Sequence, residues 1–209
     1  MARVLPLGVL VSGRGSNLEA VIRAIEEGRL PARIKLVLSN RKEARALSIA
    51  AQHGIPAEFI DPKNYPDRES YDLALAARLK EAGVELVVLA GFMRILSPAF
   101  LEQFPLKVIN IHPALLPSFP GVEAQRQAVE YGVKISGCTV HFVDAGVDTG
   151  PIIAQVAVPV EDNDTPETLA QRILEQEHRL LPEVIRWIAE DRVVVKGRRV
   201  YVRKEDKGE

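Results

Sequence analysis

Cysteine is almost missing from this chain, with Cys138 the only one in 209 residues. A lone thiol excludes an internal disulfide framework and a cysteine-rich zinc site, and it fits a reducing compartment. Its setting, "GCTVHFV", is apolar, so Cys138 reads as a small buried residue rather than a nucleophile. An excess of either charge is missing too. Lys and Arg number 27 against 28 Asp and Glu, a net charge of -1, which argues against a nucleic-acid or polyanion surface. No apolar run approaches the roughly 18 residues of a membrane span. The opening "MARVLPLGVLVSG" is a short apolar run followed by a glycine turn rather than a leader. The expectation is a cytoplasmic protein with no membrane or nucleic-acid partner. Repeats, low-complexity stretches and linkers are absent as well. With 47% hydrophobic residues, residues 1–209 read as a single domain around one substantial core.

The first two-thirds of the chain alternate apolar β-type runs with helical patterns. "VLPLGVLV", "RIKLVLS", "PAEFI", "VELVVLAG" and "VINIH" read as strands. "SNLEAVIRAIEEG", "RKEARALSIAAQHG", "DRESYDLALAARLKEAG" and a short stretch near "SPAFLEQF" read as helices between them. Such alternation predicts an α/β fold with a mostly parallel central sheet and helices on both faces. After Gly121 comes a helix, "VEAQRQAVEYG". Two strands then follow, "KISGCTVHFV" and "PIIAQVAVPV", joined by the short turn "DAGVDTG". These suggest antiparallel additions near the C-terminus. A long helix starts with Thr165 as N-cap and Pro166 at its first position, with a kink expected at Pro182. "RVVVKGRRVYVR" predicts a hairpin turning at Lys196-Gly197, and "KEDKGE" a solvated tail.

Two places break the apolar pattern in ways that suggest chemistry. "VSGRGSNL" links the first strand to the first helix, with Gly13 and Gly15 allowing a tight turn. The N–H groups at Gly15, Ser16 and Asn17 then lie at a helix N-terminus, which favours a phosphate. Ser and Asn are also good helix caps, so a turn without ligand stays open. Leu18 replaces the third glycine of a dinucleotide fingerprint, and no P-loop sequence occurs, so a single phosphate monoester suits this turn best. Arg41, ending the second strand's "SNRK", keeps an NADP oxidoreductase open.

The second place is "VINIHPALLPSFPG". Residues i and i+2 of a strand share a face, so Asn110 and His112 project together, with Cα atoms about 6.6 Å apart. Two donors at that spacing can converge on one oxygen, at the carboxyl end of a strand where open α/β sheets bind ligands. A hydrogen-bonded pair closing a strand is the plainer alternative. A carboxylate is the natural third member, and "DAGVDTGP" offers Asp144 and Asp148, although turn aspartates mostly bond their own backbone. His53, His141 and His178 have weaker claims, and their spacing makes no metal site, so no metal is expected. The loop "ALLPSFPG" should border the site, with Leu116-Pro117 a candidate cis peptide.

"INIHPALLPSFPG", together with "SGRGSNL", "VVLAGFMRILSP" and "VDTGPII", resembles the folate-dependent phosphoribosylglycinamide formyltransferases of purine synthesis. The resemblance runs in order through nearly the whole chain. It implies a Rossmann-like formyltransferase fold and transfer of a formyl group from 10-formyltetrahydrofolate, as co-substrate, to the amine of glycinamide ribonucleotide. It assigns Asn110, His112 and Asp148 to catalysis through a tetrahedral intermediate, and Gly15, Ser16 and Asn17 to the nucleotide phosphate. Glu177 would hold the ribose hydroxyls. Arg68, Met93, Arg94, Ile95 and Leu96 would serve the folate, with Asn110, Asp144 and Asp148. Two positions depart from the pattern: Ala114 stands where a serine is common, and Arg14 replaces a frequent asparagine. Both partners are small molecules; the oligomeric state is not legible. Relatives that formylate methionyl-tRNA carry a further C-terminal domain, and those that hydrolyse formyltetrahydrofolate carry an N-terminal one. Neither is expected here. A silent nucleotide-binding module is the rival from outside the enzymes.

Overall fold

A computed structural model describes residues 3–205. The apolar runs form a seven-stranded sheet from β1 (Leu5–Val11), β2 (Ala32–Ser39), β3 (Ala57–Phe59), β4 (Leu86–Leu89), β5 (Val108–His112), β6 (Ile135–Phe142) and β7 (Ile152–Pro159). Their order is β3-β2-β1-β4-β5-β6-β7. The first five pair in parallel, while β6 is antiparallel to both β5 and β7. The fold expectation therefore holds, antiparallel additions included.

Strand alternation divides the core in two. Leu7, Val9 and Val11 of β1, Leu86 and Val88 of β4, and Ile109 and Ile111 of β5 face one layer. That layer comprises α1 (Ser16–Glu26), α2 (Arg45–Gln52), α5 (Ala124–Tyr131) and α6 (Pro166–Ala189). Leu10, Val87, Leu89 and Val108 face the other, against α3 (Arg68–Glu81) and α4 (Pro98–Gln103). Helices thus cover both faces, which is why the parallel strands read as near-continuous apolar runs. Truncating one of these buried leucines to alanine typically costs about 2–5 kcal/mol.

Helix ends follow their local chemistry. Asp67 caps α3 through the Ser70 N–H at 2.7 Å. Thr165 caps α6 within a capping box shared with Thr168, ahead of Pro166, and the helix is continuous through Pro182. Helix α2 starts at Arg45, four residues later than its pattern suggested. The Ser39 hydroxyl, bonded to both the N–H and the carbonyl of Arg41, closes a turn there instead. The terminal strands β8 (Val193–Lys196) and β9 (Arg199–Val202) form a separate hairpin. Its turn residues are Gly197 and Arg198, one position later than expected, with Gly197 at φ +61. The tail expected from residue 204 lies outside the described residues beyond Glu205. No helix among the described residues is long and apolar enough to cross a membrane.

The order of strand addition reverses between β1 and β4, with β2 and β3 lying to one side of β1 and β4 and β5 to the other. Ligands of open α/β sheets bind at the carboxyl ends around such a switch point. The turns after β1, β4 and β5 all open there.

Candidate active site

The turn after β1 has a built-in reason for glycine. Gly15 takes φ +78, and a Cβ there would lie 2.8 Å from Ala46 Cα at the start of α2. Close packing against α2 thus fixes this residue, apart from any ligand. No side chain caps α1. The capping alternative for Ser16 and Asn17 is not realised, and the first N–H groups of α1 are left for another acceptor. A cavity of about 540 Å³ lies beside them, lined by Arg14, Ser16, Arg126, Gln171 and Glu177 among others.

Glu177 is buried on α6, with Oε1 3.5 Å from Asn17 Nδ2. Burial pushes its carboxyl up to about 7, against a smaller opposing effect of the Asn17 amide. Asn17 Oδ1 is buried without a hydrogen-bond partner among the described residues. Two residues 160 positions apart in sequence therefore meet on this wall, both with hydrogen-bonding capacity to spare.

At the end of β5, Asn110 and His112 face the same region, and His112 is only 4% exposed. Its Nε2 lies 2.8 Å from the Phe119 carbonyl, which can only accept, so Nε2 carries a hydrogen. Nδ1 is left facing Asp148 Oδ2 at 3.5 Å, too far for a good hydrogen bond between them. The loop leaving β5 therefore orients the ring from behind, and the carboxylate stands in front of it. Asp148 is held by the Gly121 N–H, 2.7 Å from Oδ2, and adopts φ +54. Aspartate is among the few side chains that tolerate that backbone region.

A residue to which the sequence gave a weak claim joins them. His141 is the cross-strand partner of Asn110 in the β5–β6 pair. Its Nδ1 donates to the Phe142 carbonyl at 2.8 Å, and burial lowers its pKa, which keeps the ring neutral. Nε2 is then an acceptor, 3.3 Å from Asn110 Nδ2 and 3.8 Å from Asp148 Oδ1. One amide hydrogen of Asn110 is spent on His141, and the other makes no hydrogen bond among the described residues. Only the pairing register reveals this, because sequence spacing cannot place His141 opposite Asn110. His53 pairs with Glu26 at the C-terminal end of α1, and His178 lies on α6.

The loop "ALLPSFPG" borders this cluster as expected, through Phe119 and Gly121, and the Leu116–Pro117 peptide is cis. Asp144 behaves as a turn residue, accepting from the Gly146 N–H and from Thr149 Oγ1 at 3.1 and 2.6 Å. In the loop after β4, Met93 and Ile95 are exposed, at 61% and 46%. Arg94 lies over the Tyr71 ring at 4.7 Å. Leu96 is a core residue, so its side chain packs inside rather than lining an open slot. Arg68 is exposed at the start of α3 and makes no hydrogen bond or ion pair to the cluster among the described residues. Cys138 is buried, with its thiol pushed up to about 12 by burial, as befits an inert core residue.

The fold is a Rossmann-like open α/β sheet, with an amide, an imidazole and a carboxylate gathered at the carboxyl ends of its strands. The family model for formyl transferases matches residues 6–185. The phosphoribosylglycinamide formyltransferase of Bacillus subtilis is 42% identical over 85% of this chain and 91% of its own length. The crystal structure of glycinamide ribonucleotide transformylase 1 from Symbiobacterium toebii superposes with a TM-score of 0.95. It is 53% identical and covers 97% of this chain and 95% of its own. The chain belongs to the formyl transferase family, in its phosphoribosylglycinamide formyltransferase branch. It also matches the trifunctional purine biosynthetic protein adenosine-3 of Drosophila pseudoobscura pseudoobscura at 50% identity, spanning 14% of that protein's length.

Proposed function

We propose that this enzyme, as one domain over residues 1–209, transfers the formyl group of 10-formyltetrahydrofolate to the amine of glycinamide ribonucleotide in the cytoplasm. The observation that carries this reading is the convergence of Asn110, His112 and Asp148 between two loops suited to two different ligands. The N–H groups of Gly15, Ser16 and Asn17 would hold the nucleotide phosphate, and Glu177 with Asn17 the ribose hydroxyls. Met93, Arg94 and Ile95 would form one side of the folate slot, to which Leu96 could offer only its main chain. The Asp144–Asp148 loop would form the other, with Arg68 at the rim.

The chemistry follows from which hydrogens are free. Attack of a neutral amine on the formyl carbon places negative charge on the formyl oxygen. The second Asn110 amide hydrogen and a hydrogen on His112 Nδ1 would donate to it, each such donor typically contributing ~3 kcal/mol. Asp148 would receive a proton from the attacking amine and help return one to the departing folate nitrogen through water. No covalent enzyme intermediate is required. The test is formyl transfer from 10-formyl-5,8-dideazafolate with glycinamide ribonucleotide present or omitted. Release that ignores the nucleotide would point to a hydrolase, and nicotinamide absorbance changes to an oxidoreductase.

A further inference from the structure

Between the two proposed substrate loops lies Ser12, a residue with no assigned role. It directly follows β1 and begins the glycine turn, yet it is 2% exposed. Its N–H donates to the Gly91 carbonyl at 3.0 Å. Its hydroxyl donates to Asn40 Oδ1 at 2.6 Å, just beyond β2, and accepts from the Met93 N–H at 2.8 Å, beyond β4. The ends of three adjacent parallel strands therefore meet on one side chain at the switch point.

The direction of those bonds matters. Asn40 takes the only hydroxyl hydrogen, which turns an oxygen lone pair towards Met93. The far end of the same loop is fixed by a second buried acceptor, Asp72 Oδ2, which receives the Ser97 N–H at 2.7 Å. Met93 and Ile95 project to solvent between these anchors. The segment is thus a short strap tied at both ends, and its near end is tied to the turn that starts the nucleotide loop.

We propose that the Ser12 hydroxyl is a positioning group that keeps the folate-side loop in register with the nucleotide-side turn. This rests on the two-substrate reading above. Formyl transfer needs the reacting atoms within about 3–3.5 Å, so a shift of one loop against the other is costly. Ser12 touches neither substrate. It acts through the Met93 backbone, and Asn40 acts through it.

The test combines Ser12→Ala, Asn40→Leu and Asn40→Asp, the last keeping an acceptor for the hydroxyl. Amide hydrogen exchange at Met93 reads the anchor directly and needs no substrate. Steady-state kinetics and nucleotide titration calorimetry read its consequence. Ser12→Ala and Asn40→Leu should speed Met93 exchange at least tenfold and raise the KM for the formyl folate at least fivefold. The nucleotide Kd should stay within twofold, and Asn40→Asp should behave as wild type. Unchanged Met93 exchange and folate KM in Ser12→Ala would overturn the proposal. So would an equal loss of nucleotide and folate binding accompanied by a falling Tm, the mark of general loosening. Should Ser12→Ala fail to fold, Asn40→Leu carries the same readouts with the serine in place. If the wild type transfers no formyl group, the functional reading fails, while Met93 exchange still decides whether the hydroxyl holds the loop.

Discussion

The Asn17–Glu177 wall and the cluster around Asn110 and His112 each bury a titratable side chain, and the two respond to pH in opposite directions. Glu177, against Asn17, has its carboxyl raised to about 7 by burial. His141, against Asn110, has its pKa lowered, also chiefly by burial. Desolvation disfavours the charged form in both, and the sign differs only because one group is an acid and the other a base. The folded protein binds a proton at Glu177 more tightly than the unfolded chain does, so this group removes stability as pH rises from about 4.5 through 7. The unfolded chain binds a proton at His141 more tightly, so that group removes stability as pH falls below 6.5. The same region thus loses stability at one wall as pH rises towards 7 and at the other as pH falls below 6.5.

Four substitutions test this division of labour. The largest effect belongs to Asp148→Asn, which keeps the side-chain shape but loses the proton acceptor in front of His112 Nδ1. Turnover should fall by ~10²–10⁴, the usual scale for acid–base assistance, with modest KM changes. Near wild-type turnover would remove Asp148 from the chemistry. Glu177→Gln comes next. Its stability gain over wild type should approach about 3 kcal/mol at pH 8 and vanish near pH 4, at about 1.4 kcal/mol per tenfold change in proton affinity. Urea unfolding at both pH values measures it, and a gain independent of pH would break the comparison. His141→Phe removes the acceptor that turns the Asn110 amide, so turnover should fall by roughly tenfold, the scale of a lost neutral hydrogen bond. The acid-side loss of stability should also shrink. Unaltered turnover would mean that Asn110 orients itself. Asp144→Asn should have the smallest effect, within about threefold of wild-type turnover, since an amide oxygen still accepts in that turn.

The two regions also differ in how far the sequence disclosed them. Asn110 and His112 lie two residues apart on one strand, so the two-residue period of a strand sufficed to place them together. The glycine turn was equally local. Family resemblance alone pointed to Glu177, and its contact with Asn17 was not foreseen, because the packing of α1 on α6 leaves no trace in spacing. His141 was undervalued for a related reason: its role depends on the antiparallel register of β5 with β6, and a shift of one residue would have turned it to the other face. Parallel alternation and the Thr165 cap of α6 were legible. The late start of α2 was not, since the Ser39 hydroxyl competes with the helix for the backbone there.

The Phe119 carbonyl that anchors His112 carries a consequence for how this site can vary. Every amino acid has a main-chain carbonyl, so no replacement of residue 119 deletes the acceptor. Side-chain scanning would report the edge contact of its ring with Tyr131 and its packing against the core, but not the carbonyl. Only a change in the length or course of the loop from Pro113 to Gly121 can turn the imidazole loose. In this part of the molecule, the orientation of the imidazole is written in insertions and deletions more than in substitutions.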